Sequence, residues 1–124
     1  MEIVYKGWHK TATKIGMPQA HGFIWGPLVA KKLGLGCLML RKPGKLPPAK
    51  VAQMDYTLQY GKDCLQFLPA VCQKKEKIII IDDCVATGGC FFLFCFFKFF
   101  LGSMRASFDL IEAQGLDIVG GVVL

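Results

Sequence analysis

Ile78-Ile79-Ile80-Ile81-Asp82-Asp83-Cys84-Val85-Ala86-Thr87-Gly88-Gly89 runs from four β-branched residues through two adjacent carboxylates into a small-residue turn. An apolar run of this length and type reads as a strand buried on both faces, as in a parallel sheet. Parallel sheets bind ligands just beyond the carboxyl ends of their strands. Ala86-Thr87-Gly88-Gly89 offers backbone N–H groups and a hydroxyl to a phosphate, because glycine lets the main chain approach closely. The Asp82-Asp83 pair suits the vicinal hydroxyls of a ribose. Two neighbouring carboxylates are too close in sequence to form a metal cage by themselves. An ordinary glycine turn after a core strand would account for the isoleucines and glycines but not for the aspartates.

Working outward, 124 residues allow at most one small domain. At 53% hydrophobic and 19% charged residues, the chain has ample material for a core and is not disordered by composition. The formal net charge is +6. The basic residues spread over Lys6 to Lys50 and Lys74 to Lys77, as a solvated basic surface or as an attraction for an anionic small molecule. No nucleic-acid-binding motif accompanies them, so nucleic acid is not an expected partner. The six cysteines form no Cys-x-x-Cys, and the two histidines are not spaced as zinc ligands to them. With no signal peptide at Met1, reduced thiols and a cytoplasmic location are expected.

Residues 1–19 are polar and irregular, with no strong period. His21-Gly22-Phe23-Ile24-Trp25-Gly26-Pro27 reads as a glycine-bounded loop entering a helix at Pro27, which Gly34 caps. Cys37–Leu40 is expected as a short buried strand, and Arg41–Pro48 as a basic, proline-rich loop. Tyr56–Gly61 reads as an exposed loop, running into a strand over Asp63–Phe67. Ser103 is expected to N-cap a helix that Gly115 ends, with Met104, Phe108 and Ile111 on one face. Asp117–Leu124 makes a last apolar strand. The alternation of strands and helices predicts an α/β fold with a parallel sheet.

The stretch around Asp82 resembles the motif with which the type I phosphoribosyltransferases bind 5-phosphoribosyl 1-diphosphate (PRPP). Further segments are similar to the adenine phosphoribosyltransferase branch, and their order matches. They are His21–Pro27, Leu33–Cys37, the basic loop Arg41-Lys42-Pro43-Gly44-Lys45-Leu46-Pro47, and Tyr56-Thr57-Leu58-Gln59-Tyr60-Gly61. The resemblance implies a parallel-sheet phosphoribosyltransferase core over 20–124, incomplete at both ends, after an unmatched segment 1–19. It implies purine salvage: transfer of the 5-phosphoribosyl group from PRPP to adenine, giving AMP and pyrophosphate, with Mg²⁺ as cofactor. It assigns Asp82 and Asp83 to the ribose hydroxyls, directly or through Mg²⁺. Ala86, Thr87, Gly88 and Gly89, continued by Gly102 and Ser103, take the 5′-phosphate. Lys42 and Lys45 face the pyrophosphate, His21 stands at a PRPP-binding arginine position, and Gln59 and Tyr60 sit on a closing catalytic loop. The family also implies a homodimer and gives no reason to expect a membrane.

Four departures bear on this. His21 stands where the family has an arginine, and a neutral imidazole does not replace a permanent bidentate cation. Gln59 stands where the family has a glutamate, and an amide cannot donate and regain a proton. The family's amino-terminal hood over adenine has no counterpart in 1–19. Finally, Cys90–Leu101 holds seven of the ten phenylalanines, is too short to span a membrane, and interrupts the core at about 89–101. Removing Gly89–Leu101 joins Gly88 to Gly102 and restores the motif and its helix, as expected if the segment is a retained intron; a hydrophobic loop that contacts lipid or a partner is the alternative. The departures leave a second reading open, a catalytically inactive PRPP- or nucleotide-binding module.

Overall fold

The structure, a computed structural model, describes residues 10–58, 61–82 and 102–123. The described elements are β1 (Lys14–Pro18), α1 (Gly22–Leu33), β2 (Gly36–Leu40), β3 (Ala52–Leu58), β4 (Gly61–Phe67), a short 3-10 turn (Pro69–Val71), β5 (Lys77–Asp82), α2 (Gly102–Glu112) and β6 (Asp117–Val123). Four of the strands form one sheet in the order β2-β1-β5-β6, with every pairing parallel. The antiparallel β3–β4 hairpin is a separate two-stranded sheet. The fold is α/β, as the strand–helix alternation predicts.

The isoleucine run is the centre of it. Ile78, Ile79, Ile80 and Ile81 are all buried. Because side chains alternate across a strand, they serve two cores. Ile78 and Ile80 join Leu38, Leu40, Leu65, Phe67, Leu110 and Ile111 on the face covered by α2 and the hairpin. Ile79 and Ile81 join Ile15, Val29 and Ala30 on the face covered by α1. Both helix ends follow the expected chemistry. At Gly34 (φ 68°) and Gly115 (φ 75°) the chain turns left-handed. Leu35 N–H then reaches the Ala30 carbonyl, and Leu116 N–H the Ile111 carbonyl, a Schellman closure of each helix.

Several expectations need correction. The irregular amino-terminal stretch contains β1, which pairs with both β2 and β5 in mid-sheet, so the sheet takes in residues before position 20. Gly16 broke the apolar pattern there for a packing reason. A Cβ at Gly16 would lie 2.5 Å from Ile80 Cδ1, so the strand gives up a side chain to admit the isoleucines of β5. The expected loop His21–Pro27 is helix from Gly22 onward. Its glycines are contact surfaces rather than turn residues: a Cβ on Gly26 would lie 2.8 Å from Met17 Sδ. Gly22, Gly26, Val29 and Ala30 form the buried stripe of α1, at helical spacing. Tyr56 lies in β3, not in an exposed loop; the strand's period-two burial was masked by its polar residues Gln53, Asp55 and Thr57. Ser103 lies inside α2 instead of capping it. Of β2, only Leu38 and Leu40 are buried, while Cys37 and Met39 are exposed.

Candidate functional site at the carboxyl edge of the sheet

In a parallel sheet all strands end on the same edge, and here the polar residues gather at that edge. Past β1 come Gln19, Ala20 and His21; past β2 come Arg41 and Lys42; at the end of β5 stands Asp82. The turns after β1 and β2 clasp one another. Gln19 N–H donates to the Leu40 carbonyl (2.8 Å), and Lys42 N–H donates to Gln19 Oε1 (3.0 Å). The peptide between Gln19 and Ala20 is cis. Gly22 seats the start of α1 against this edge: a Cβ there would meet the Ile81 carbonyl oxygen at 2.7 Å, so only glycine brings the helix so close to the end of β5.

His21 occupies the N-cap position of α1 in a helical conformation and is exposed. Asp82 is half-buried at the last position of β5. Lys45 is exposed on the basic loop, and its carbonyl accepts a 2.8 Å hydrogen bond from the Arg41 guanidinium. Gly44 in the same loop takes φ 73°, the left-handed turn a Pro-Gly pair predicts. Gly102 and Ser103 open α2. Gln59, Tyr60, Asp83, Ala86, Thr87, Gly88, Gly89 and the phenylalanine-rich segment lie outside the described residues.

The sequence reading missed the residues that hold Lys42. Its ammonium bonds to the Tyr56 hydroxyl (2.8 Å) and to Asp63 Oδ2, and sits 5.3 Å from the centre of the Tyr56 ring. Tyr56 donates to the same carboxylate oxygen at 3.0 Å, and Cys64 N–H donates to Asp63 Oδ1 at 2.8 Å. Tyr56 and Asp63 are partners across the hairpin, which sets them side by side. Burial pulls Lys42 down, but its bonds to Asp63 and Tyr56 outweigh this and hold it above the usual lysine value. Burial likewise pushes Asp63 up, but the bonds from Lys42, Cys64 N–H and Tyr56 win and hold it below the usual carboxylate value. Burial raises the Tyr56 phenol. Arg41 adds a second tie to the hairpin, since its backbone exchanges two 2.7 Å hydrogen bonds with Gln66. Its guanidinium also lies 6.0 Å from the Phe23 ring of α1. The signal that could have found this cluster is the period-two pattern Ala52, Met54, Tyr56 facing Asp63, Leu65, Phe67.

No protein-family model matches the chain. Individual relatives do. Adenine phosphoribosyltransferase of Solidesulfovibrio magneticus is 42% identical over 114 residues, covering 91% of this chain and 58% of the relative. Adenine phosphoribosyltransferase 2 of Arabidopsis thaliana is 37% identical over 111 residues, covering 90% of this chain and 50% of the relative. The chain is similar to adenine phosphoribosyltransferases over about nine tenths of its own length. It spans about half the length of the curated relatives it matches. Solved structures agree. The adenine phosphoribosyltransferase of Thermoanaerobacter pseudethanolicus superposes with a TM-score of 0.74 at 33% identity, over 91% of this chain and 58% of that one. The Trypanosoma brucei enzyme, in complex with AMP, pyrophosphate and ribose-5-phosphate, superposes with a TM-score of 0.73 at 26% identity, over 97% of this chain and 46% of that one. Among the described residues no helix is long and apolar enough to cross a membrane.

Proposed function

We propose that this chain carries the PRPP-binding edge of an adenine phosphoribosyltransferase and serves purine salvage, transferring the 5-phosphoribosyl group of PRPP to adenine with release of pyrophosphate. The observation that carries the reading is the convergence of His21, Lys42 and Asp82 on one edge of a parallel sheet, in the order the family motifs require. The trypanosomal relative's complex with AMP, pyrophosphate and ribose-5-phosphate supports the substrate class.

In this reading Asp82 and Asp83 hold the ribose hydroxyls. Ala86, Thr87, Gly88 and Gly89 cradle the 5′-phosphate, with Gly102 and Ser103 leading on into α2, where free N–H groups and the helix dipole favour an anion. Lys42 and Lys45 face the pyrophosphate, and His21 adds a donor where relatives use a guanidinium. The ribosyl centre gains positive charge as the C1′–oxygen bond breaks, while the leaving pyrophosphate gains negative charge. Pre-placed lysines stabilise that developing charge without reorganising at the moment of reaction. Gln59 and Tyr60 would serve to exclude water from the reacting sugar.

Among the described residues no three His, Cys, Asp or Glu side chains gather to hold a metal. Asp82 and Asp83, two adjacent carboxylates, fit Mg²⁺ arriving with the diphosphate, since Mg²⁺ commonly binds through one or two carboxylates plus substrate phosphates. When bound, Mg²⁺ neutralises charge on the leaving pyrophosphate. The exposed Ile24, Trp25 and Leu28 on the outer face of α1 support a homodimer. A cytoplasmic location completes the proposal.

The test is AMP formation from labelled adenine, PRPP and Mg²⁺, on the full chain and on a version lacking Gly89–Leu101. Turnover by either version supports the assignment, and turnover only by the shortened version marks the segment as inhibitory. PRPP binding without turnover in both would replace it with an inactive binding module.

A further inference from the structure

Lys42 cannot offer more than one of its N–H donors to an anion without leaving partners it already has. An ammonium has three N–H donors. One goes to Tyr56 and one to Asp63, and the ring of Tyr56 lines the same space. The main chain beneath it is fixed, because Lys42 N–H is bonded to Gln19 and the preceding Arg41 is paired on both sides with Gln66. Only the side chain is free to change partners.

We propose that Asp63 is a resident counter-ion for Lys42, with which a diphosphate competes for the ammonium's charge and its two committed donors, so that Asp63 sets the affinity of the carboxyl edge for its anionic ligand. The inference rests on reading that edge as a diphosphate site. The geometry makes the exchange cheap on the carboxylate's side. Asp63 keeps the Cys64 N–H on Oδ1 and the Tyr56 hydroxyl on Oδ2 after Lys42 leaves, so it is not stranded. Both side chains are also partly open, at 31% for Lys42 and 29% for Asp63, so water can take up what the pair gives up. The arrangement guards the cation in the unliganded chain and takes a fixed toll on every phosphate-bearing ligand.

The test is calorimetric titration with inorganic pyrophosphate and Mg²⁺ on four chains: the unaltered one, Asp63→Asn, Lys42→Met and the double variant. Asp63→Asn is expected to bind about fivefold tighter, equivalent to ~1 kcal/mol, while melting at a lower temperature; a merely structural role would weaken binding along with stability. In the Lys42→Met background the same change is expected to have no effect, whereas a general field effect of the carboxylate would persist there. Tyr56→Phe, which leaves both charges in place, is expected to tighten binding by a smaller factor and gives a second reading should Asp63→Asn not fold. Binding that is unchanged or weaker in Asp63→Asn, with the unaltered chain binding pyrophosphate, overturns the counter-ion role and leaves the site standing. Absence of pyrophosphate binding in all four folded chains overturns the site and the counter-ion role together.

Discussion

The two ends of the sheet each carry a lysine–carboxylate pair, and the pairs are built differently. At the amino end, Lys14 bonds Glu76 at 2.5 Å and also the Val71 carbonyl at 2.7 Å, while Glu76 accepts the Gln73 N–H at 2.9 Å. That pair is closed in, with side chains 18% and 16% exposed. At the carboxyl end, Lys42 and Asp63 are about twice as open and share a tyrosine instead of main-chain carbonyls. The first pair ties the turn before β5 to β1. The second stands where a parallel sheet meets its ligands. In the proposed reading the same two functional groups serve stability at one edge and ligand binding at the other, and what separates them is the strand end on which they sit.

The largest effect should come from the contact that seats α1 on the carboxyl edge. Gly22→Val forces a side chain into the Ile81 carbonyl and the end of β1. It is expected to cost about 3 kcal/mol in chemical denaturation. Next, Lys14→Met is expected to lower stability by about 2 kcal/mol, because Glu76 loses its charged partner, and to leave pyrophosphate affinity unchanged. Lys42→Met should show the reverse pattern, with pyrophosphate bound about tenfold more weakly and a smaller loss of stability than Lys14→Met, because Asp63 keeps the Cys64 N–H and the Tyr56 hydroxyl. A loss of pyrophosphate affinity in Lys14→Met would dissolve the distinction between the edges.

Acid gives a smaller and more graded effect. The bond from Lys14, working against burial, holds Glu76 below the usual glutamate value near 4.5. Asp63 is held below its usual 3.8, its hydrogen bonds outweighing its burial. A carboxylate whose folded pKa is depressed adds stability that is present above the unfolded value and is lost as the pH falls through the folded one. Stability should therefore be flat down to about pH 5, then fall. Glu76→Gln should flatten that fall more than Asp63→Asn, which a denaturation series from pH 6 to pH 3 reads directly. Equal flattening by the two variants would place equal weight on both edges.

What was legible in the sequence follows the physics of each segment. Ile78–Ile81 announced a doubly buried strand because all four residues are β-branched and none is polar. Gly34 and Gly115 announced helix ends because only a left-handed turn closes the last carbonyls so compactly. β1 was not legible, since Gly16 and Pro18 argue against a strand until the isoleucines of β5 are seen to need the space. Gly22 and Gly26 misled in the same way: a glycine that admits a neighbour looks, in sequence, like a glycine that makes a turn. Of the candidate site, Lys42 and Asp82 were singled out by their motifs, whereas Tyr56 and Asp63 were not. Their importance comes from pairing across the hairpin and from a lysine that reaches them from another strand, and neither relation is local in sequence.

The most direct test of the central claim is amide hydrogen exchange, read by mass spectrometry, with and without PRPP and Mg²⁺. The account predicts slower exchange at 19–22, 41–45 and 80–82 on the carboxyl edge, and no change at 71–77 and 113–118 on the amino edge. Protection at the amino edge, or equal protection of both, would contradict it.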